Sequence, residues 1–552
     1  MHRWRRYLPT GFSVVGLLIG IHFFCVSLTP SLLPRHPVAQ GLLSGISLAV
    51  GYCVGVIGLG IYRFLQLREW QGRSAKIARR VVLVISGVML LATLTRMAYW
   101  QNTIRALMDM PPVDSGYPTT VFAVAVVTAL IFLLSARALI GLSGKLARAL
   151  QRLMPPRVAV VTSYALIGIL LISLINGMIV KRLVRMMDET FATIDQAIDE
   201  GMEPPLSLFA SGGVESLIQW DEIGKNGKRF LLNGPTSEQI SELTGRPALE
   251  PIRVYAGYNT GETLQERAKI AVDELIRVGG FDRRVLVLAT PTGTGWLDPS
   301  AIQPLPYLHD GDVAIVSMQY SYLPSWLTIA VDPEISRRSA KALFDQVYAH
   351  WTALPKESRP ELYLFGLSLG SLGSEAALDL FQLLGDPIDG AVLSGPPFPS
   401  RLWQQIVAER NPGTPQWHPV FRDAALLRFM NQEGIAAPPD ADWGVLRTIY
   451  IQHASDPMVF FSPSLAYSKP HWLGEQRGPD VSPDFHWFPL VTFLQVGFDV
   501  PMATAAPLGY AHNYAPDEYI DAFIEVTRPR DWTEEDTAKL KAKFADFDAS
   551  PL

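Results

Sequence analysis

Ser368 lies between two glycines in the stretch "ELYLFGLSLGSLGSEAALDL", residues 361–380, where an apolar run gives way to small residues. The spacing G-x-S-x-G is typical of a nucleophilic serine on a sharp turn between a strand and a helix, where only small neighbours tolerate the strained backbone. With 43 glycines in the chain, an ordinary turn serine can match this spacing by chance. The motif occurs once, between a predicted strand and a predicted helix, which favours a nucleophile.

A serine hydroxyl becomes a useful nucleophile only when a base takes its proton and an acid orients that base. Asp456 is the preferred acid because it follows the apolar run in "TIYIQHASDP" and Pro457 then ends the strand. Asp499, after "VTFLQVGFD", is the alternative. Both lie after Ser368, in the order serine, acid, histidine that one large class of hydrolases uses.

Three histidines follow Asp456 along the chain. His512, in "PLGYAHNYAPDEYIDAF", is the preferred base because it is predicted in a loop just before a C-terminal helix. His471 and His486 have aromatic neighbours, which indicates packed structural roles, and His453 is predicted in the core.

An oxyanion hole should complete the site, with the N–H of Leu369 as one donor. The loop "LATPTGTGW", residues 288–296, should provide the other through Thr292, Gly293 or Thr294. This loop lacks the third glycine of a dinucleotide fingerprint and the lysine of a P-loop, so a nucleotide site is disfavoured. No metal-binding motif is present either, and the sequence predicts neither a cofactor nor a metal.

The composition separates a membrane part from a soluble part. The 552 residues are 49% hydrophobic and 18% charged, and the charged residues are sparse before about residue 180. A formal net charge of −5 gives no basic field for nucleic acid. The only cysteines, Cys25 and Cys53, fall in the apolar part, so the soluble part has no thiol nucleophile and no cysteine-based zinc site.

Five apolar segments, near 11–28, 42–66, 81–99, 119–139 and 159–180, are long enough to cross a bilayer as helices. Lysine and arginine mark the cytoplasmic loops. They cluster before the first segment (Arg3, Arg5, Arg6) and in the second and fourth loops, whereas the intervening loops carry only Arg35 and Arg105. This pattern predicts an extracytoplasmic C-terminal part. Lys181, Arg182 and Arg185, directly after the fifth segment, oppose it and would reverse the orientation if that segment did not cross.

The soluble part alternates strand-like and helix-like patterns. Apolar runs at 251–259, 283–291, 312–321, 361–366, 389–397 and 446–457 predict strands of a mostly parallel sheet with helices on both faces, an α/β fold. The sequence therefore predicts a membrane region at 1–185, a connector at 186–250 and a catalytic domain at 251–552. Aromatic residues between 398 and 445 indicate a cap-like insertion.

The motifs "GLSLG", "ATPTGTGW", "HASDP" and "YAHNY" resemble those of α/β-hydrolase fold enzymes over roughly residues 250–530. The whole layout resembles bacterial integral-membrane α/β-hydrolases with an N-terminal multi-span region. This resemblance implies Ser368 as nucleophile, Asp456 as orienting acid and His512 as base, with Leu369 and the loop Thr292–Thr294 as oxyanion donors. One departure is the helix predicted between the first two strands, which leaves the pairing of the first strand open.

The resulting hypothesis is a serine hydrolase in the cell membrane that acts on apolar acyl or lipid-like esters. The bilayer and a small-molecule or lipid ester are the expected partners, without nucleic acid. The alternatives are an acyltransferase and a non-catalytic receptor or transporter-associated module that retains the fold. The sequence does not determine the natural substrate or the oligomeric state.

Overall fold

The computed structural model describes residues 12–67, 72–173, 180–196, 202–378, 385–474 and 476–547. Arg3, Arg5, Arg6 and Arg68, whose charges enter the predicted orientation, lie outside these ranges. The chain forms two compact units. The first comprises residues 1–185 and 461–502, and the second comprises residues 186–460 and 503–552. We refer to them as the helical unit and the sheet unit.

Five helices of the helical unit coincide with the five predicted apolar segments: α1 (Val14–Ser27), α2 (Pro37–Phe64), α3 (Arg73–Leu107), α4 (Pro118–Leu150) and α5 (Pro156–Ser173). Among the described residues, α2 to α5 are long and apolar enough to cross a membrane, whereas α1 is shorter. At about 1.5 Å per residue, the 14 residues of α1 span less than the hydrocarbon core of about 30 Å. α6 (Val180–Gln196) follows and carries the basic residues that oppose the predicted orientation.

Small residues let the helices of the helical unit approach closely. A Cβ added at Gly45 of α2 would lie 2.6 Å from the Ala125 carbonyl oxygen and the Thr128 Cβ of α4. A Cβ at Gly55 would lie 2.8 Å from the Gly16 Cα of α1. Such close backbone contacts are how helices associate where lipid removes the hydrophobic driving force.

The segment 461–502 belongs to the helical unit. The sequence predicts this segment within a catalytic domain that runs from 251 to 552, whereas its contacts group it with the helical unit. The run "VTFLQVGFD" forms a helix, α17 (Val491–Asp499), which packs against α1 and α2. Buried polar contacts hold the segment there, above all an ion pair between Arg35 and Asp499 at 2.9 Å. No sequence pattern predicts these contacts.

An eight-stranded sheet forms the core of the sheet unit. Its strands are β1 (Ile252–Ala256), β2 (Val285–Thr290), β3 (Val313–Met318), β4 (Glu361–Leu367), β5 (Gly390–Ser394), β6 (Leu427–Asn431), β7 (Gly434–Ala436) and β8 (Arg447–Ile451). The order across the sheet is β1-β3-β2-β4-β5-β8-β6-β7, and every pair is parallel except β6 with β7. Nearly every strand residue is buried, as a parallel sheet covered on both faces requires.

The described helices of the sheet unit are α7 (Lys225–Leu232), α8 (Ser237–Thr244), α9 (Leu264–Arg277), α10 (Pro299–Ile302), α11 (Leu305–Leu308), α12 (Ser325–Val331), α13 (Glu334–Ala353), α14 (Leu369–Glu375), α15 (Arg401–Ala408), α16 (Pro457–Phe460), α18 (Pro516–Thr527) and α19 (Glu534–Phe544). Thr263 caps α9, because its hydroxyl accepts from the Glu266 N–H at 3.1 Å. All six predicted strands are confirmed, and the mostly parallel α/β fold with them.

Two segments differ from the prediction. The connector 186–250 is part of the sheet unit, because it contains α7 and α8 and pairs with the first strand through the bridge between Ala210 and Arg253. The insertion 398–445 does not form a separate cap, since β6 within it pairs with β8 and extends the sheet. The open question of the first strand is also settled, because β1 pairs with β3 in parallel.

Candidate active site

Ser368 occupies the turn between β4 and α14. Its backbone has φ 57° and ψ −121°, a strained conformation for a residue with a side chain. The Ser368 N–H donates to the Ser394 carbonyl at the end of β5, at 2.9 Å. Strain of this kind persists only where the surroundings over-determine it, and it concentrates at functional positions.

The two glycines of the motif are required by close packing around this turn. A Cβ at Gly366 would lie 2.3 Å from the Gly370 carbonyl group, and a Cβ at Gly370 would lie 2.1 Å from the Thr290 carbonyl oxygen. No larger residue fits at either position without moving backbone. The spacing G-x-S-x-G is therefore a consequence of the tight strand-to-helix turn.

Asp456 and His512 are brought together although 55 residues of sequence separate them. His512 Nδ1 lies 2.6 Å from Asp456 Oδ2, and both side chains are buried. Tyr514 donates its hydroxyl proton to the same carboxylate oxygen at 2.7 Å, and the Met458 N–H donates to Asp456 Oδ1 at 2.8 Å. The carboxylate can therefore fix the orientation of the ring by accepting a hydrogen bond from Nδ1–H.

The His512 ring lies close to the residues that follow β5. A Cβ at Gly395, which has φ 51°, would lie 2.5 Å from His512 Cε1. Gly395 directly follows Ser394, the residue whose carbonyl binds the Ser368 N–H. Serine, histidine and aspartate thus all lie at the carboxyl edge of the central strands.

Neither Ser368 Oγ nor His512 Nε2 has a hydrogen-bond partner among the described residues, and both atoms are buried. The two atoms are thus not bonded to each other in this structure. Nucleophile and base are commonly farther apart in the absence of substrate than in the reacting complex. With Nδ1 committed to Asp456, Nε2 is the ring atom left to act as a base.

Leu369 is the first residue of α14, so its N–H has no acceptor within the helix. Several of the predicted oxyanion donors in the loop 288–296 already have hydrogen-bond partners. The Thr292 N–H donates to the Trp296 carbonyl at 2.9 Å and the Gly293 N–H donates to Ser325 Oγ at 3.2 Å, so neither is free. The Thr294 hydroxyl accepts from the Asn226 side chain at 3.3 Å. The Thr294 N–H and the Thr292 hydroxyl form no hydrogen bond with any described residue and remain the candidates.

Two family models match the chain. One, described as an alpha/beta-hydrolase family, matches residues 252–540, which is more than half of the chain. The chain belongs to the alpha/beta-hydrolase family. The other, described as the N-terminus of an alpha/beta-hydrolase family, matches residues 28–235. Comparison with curated proteins and with solved structures found no match.

The candidate site contains a second histidine, His453, which the sequence predicts in the core. His453 Nδ1 lies 2.8 Å from the Ala511 carbonyl oxygen, and its Nε2 lies 2.7 Å from Glu518 Oε1. Ala511 has φ 51°, and its N–H donates to Ser455 Oγ at 2.9 Å. His453 and Ser455 thus hold the residue before His512 in a left-handed conformation. Their presence within "HASDP" was the only signal of this role.

A buried carboxyl group, Asp298, is linked through Tyr519 to Ser394 at the end of β5. Tyr519 donates its hydroxyl proton to Asp298 Oδ2 at 3.1 Å, and the Tyr519 oxygen lies 2.7 Å from Ser394 Oγ. Burial raises the pKa of Asp298 to about 6, although the Ser300 N–H bound to it opposes this rise. Sequence reasoning missed Asp298 because an acid followed by proline is also an ordinary helix cap, and Asp298 does cap α10.

The remaining predicted alternatives lie elsewhere. Asp499 pairs with Arg35 in the helical unit, so it does not orient His512. His471 and His486 are exposed and belong to the same unit, so the predicted packed roles are wrong. Their neighbours Trp472 and Phe485 form the buried aromatic contact instead, with ring centroids 5.9 Å apart. No group of three or more potential metal ligands occurs among the described residues.

Proposed function

We propose that this protein is a membrane-anchored serine hydrolase that cleaves ester-type acyl bonds with Ser368, His512 and Asp456. The observation that carries the proposal is the short contact from His512 Nδ1 to Asp456, which leaves Nε2 unbonded. The ring lies against Gly395, the residue after Ser394, whose carbonyl binds the Ser368 N–H. A buried acid that fixes the histidine, together with a strained serine on a tight turn, is the arrangement that acyl transfer requires.

In the proposed mechanism, Nε2 of His512 takes the proton of the Ser368 hydroxyl while Oγ attacks the carbonyl carbon of the substrate. Asp456 stabilises the imidazolium that forms. The Leu369 N–H, at the positive end of α14, donates to the developing oxyanion. The tetrahedral intermediate then collapses, and the imidazolium protonates the leaving alcohol. Water repeats these steps on the acyl-enzyme and releases the acid.

An apolar acyl group is the proposed substrate chemistry. α12 begins at Ser325, whose hydroxyl binds the Gly293 N–H of the proposed oxyanion loop. Its Trp326 and Val331 side chains are 40% and 43% exposed. Apolar side chains exposed next to a reaction centre suit an acyl chain. By contrast, Trp403, Trp417 and Phe429 of the insertion are buried and therefore contribute to packing.

The catalytic residues are proposed to lie outside the cytoplasm. Within the helical unit, the segment 461–502 contacts Leu32 and Arg35, between α1 and α2, and Thr103, near the end of α3. Arg73, Lys76, Arg79 and Arg80 lie at the opposite end of α3, and basic loops face the cytoplasm. Arg35 does not weaken this asymmetry, because its charge is buried against Asp499. The described part of 461–502 contains no helix long enough to cross a membrane, so the flanking sheet unit lies on the same side.

Reaction with a fluorophosphonate probe tests the proposal. We expect the purified full-length protein to be labelled and Ser368→Ala to be unlabelled, with Asp456→Asn slower by about 10³- to 10⁴-fold because the histidine loses its orientation. Ser371→Ala, which replaces another buried serine of α14, is the matched control and should be labelled as the wild type is. Labelling that persists in Ser368→Ala would refute the assignment of the nucleophile. A folded wild type that remains unlabelled would favour a non-catalytic module.

A further inference from the structure

The segment 461–502 connects the proposed acid to the proposed base, yet it folds as part of the helical unit. We call it the docked segment. It contacts the N-terminal helices through α17, which packs against α1 and α2, and through Ser482, which lies near Thr103 of α3. The chain therefore leaves the sheet unit just after Asp456 and returns to it just before His512.

Buried polar contacts attach the docked segment to the loop between α1 and α2. Arg35 Nε donates to Asp499 Oδ1 at 2.9 Å, with side chains that are 1% and 0% exposed. The Leu32 N–H donates to Asp499 Oδ2 at 3.3 Å. Gln495 donates from Nε2 to the Thr29 carbonyl at 3.0 Å, and the backbone carbonyl of Gln495 accepts from Arg35. Removal of either charge would leave the other buried and uncompensated, which strongly opposes docking.

Both ends of the docked segment are fixed to the catalytic residues. Before it, α16 begins directly after Asp456, and the Met458 N–H donates to Asp456 Oδ1 at 2.8 Å. After it, the Ala503 carbonyl accepts from the backbone N–H of His512 at 3.1 Å. A change in the separation of the two ends would thus act on the residues that hold the acid and the base.

We propose that the helical unit is a positioning part of the catalytic machinery, with Arg35 as the positioning residue. Arg35 holds the docked segment, and the two ends of this segment lead to Asp456 and to His512. Arg35 thereby fixes the chain ends that position the acid and the base. This inference rests on the proposed function. It also gives the multi-helix region a role beyond anchoring, for which a single helix would be enough.

Arg35→Met tests the proposal, since it removes the charge and keeps an unbranched side chain. We expect fluorophosphonate labelling of Ser368 in the full chain to slow by about tenfold or more, because small misplacements of catalytic groups are costly. In turnover of a soluble ester, kcat should fall while KM changes little. Limited proteolysis should begin to cut between residues 461 and 502. Arg105→Met is the matched control, because Arg105 donates to the Pro111 carbonyl within the same unit, and it should behave as the wild type does.

A reversible cross-link separates positioning from general damage. Thr103 Oγ1 and Ser482 Oγ lie 3.1 Å apart, so Thr103→Cys with Ser482→Cys can join α3 to the docked segment. In a Cys53→Ser background that also carries Arg35→Met, oxidation should restore the labelling rate and reduction should abolish the gain. Gln495→Ala, which leaves no charge stranded, is the milder second variant. It should slow labelling by about two- to tenfold, the loss typical of one hydrogen bond.

The outcomes separate this inference from the proposed function. If Arg35→Met and Gln495→Ala label as fast as the wild type, the helical unit does not position the site. If labelling slows and the oxidised cross-link fails to restore it, the effect is general damage and the inference is also refuted. If the wild type is not labelled at all, the proposed function itself fails, and this inference fails with it.

Discussion

Asp298 shows how a single buried residue can make stability depend on pH. Burial raises its pKa from 3.8 to about 6, so the folded state favours the protonated form. The stability gained from this preference is present below pH 3.8 and is lost as the pH rises through about 6. The loss is at most about 3 kcal/mol, because one pKa unit corresponds to about 1.4 kcal/mol.

We therefore expect Asp298→Asn, which keeps the helix cap, to become more stable relative to the wild type as the pH rises from 4 to 7. Chemical unfolding in detergent, followed by tryptophan fluorescence across this range, measures the difference. Asp332→Asn, at an exposed ion pair with Arg338, controls for the loss of one negative charge. Parallel stability curves for the wild type and Asp298→Asn would contradict the prediction.

The three residues that we propose as catalytic were predicted from the sequence. Ser368, Asp456 and His512 each follow a local pattern: a glycine-flanked serine after a strand, an acid before a proline, and a histidine before a helix. The supporting residues were not predicted. His453 and Ser455 act through hydrogen bonds to Ala511, and Gly395 acts by leaving room for the His512 ring. These contacts depend on strands that meet only in three dimensions.

At the scale of elements, the helices of the helical unit pack through glycines at specific positions. A Cβ at Gly45 of α2 would meet the Ala125 carbonyl oxygen and the Thr128 Cβ at 2.6 Å, whereas a Cβ at Gly58 of the same helix would meet no atom within 4 Å. Gly45→Ala should therefore destabilise the protein by about 1–3 kcal/mol, the typical cost of overpacking.

Gly58→Ala is the matched control for this prediction. It should be neutral or stabilising by up to about 1 kcal/mol, because alanine is the better helix former. Thermal unfolding of the two variants in detergent compares them directly. Equal effects at the two positions would contradict the close contact between α2 and α4.

The elements that the sequence predicted have a clear local sequence pattern, whereas the elements that it missed have patterns that fit more than one structure. The strands of the sheet core are continuous apolar runs separated by helices, so periodicity identified them. β6 and β7 were missed because "LLRFMNQEGIAA" lies in a region rich in aromatic residues that also fits a cap. The run that forms α17 was assigned neither to a strand nor to a helix, because a short apolar run does not distinguish a strand from a buried helix.

At the scale of the whole molecule, the side of the membrane on which the sheet unit lies can be tested with single cysteines. Tyr467 of the docked segment is 76% exposed, and Leu153, between α4 and α5, is 83% exposed. In a Cys53→Ser background, a membrane-impermeant maleimide should label Tyr467→Cys in intact cells. It should label Leu153→Cys only after permeabilisation, because that loop adjoins a basic cluster. The reverse pattern would place the sheet unit in the cytoplasm.

The sequence by itself determined the apolar helices and the strands of the parallel sheet core, and it indicated the three residues proposed as catalytic, because hydrophobic periodicity and turn chemistry are local properties of the chain. Only the tertiary structure decided that the docked segment joins the helical unit and that Asp456, rather than Asp499, meets His512. The physical reason is that Arg35 and Asp499 neutralise each other in a buried contact between residues more than 460 positions apart. No local pattern encodes such a pairing.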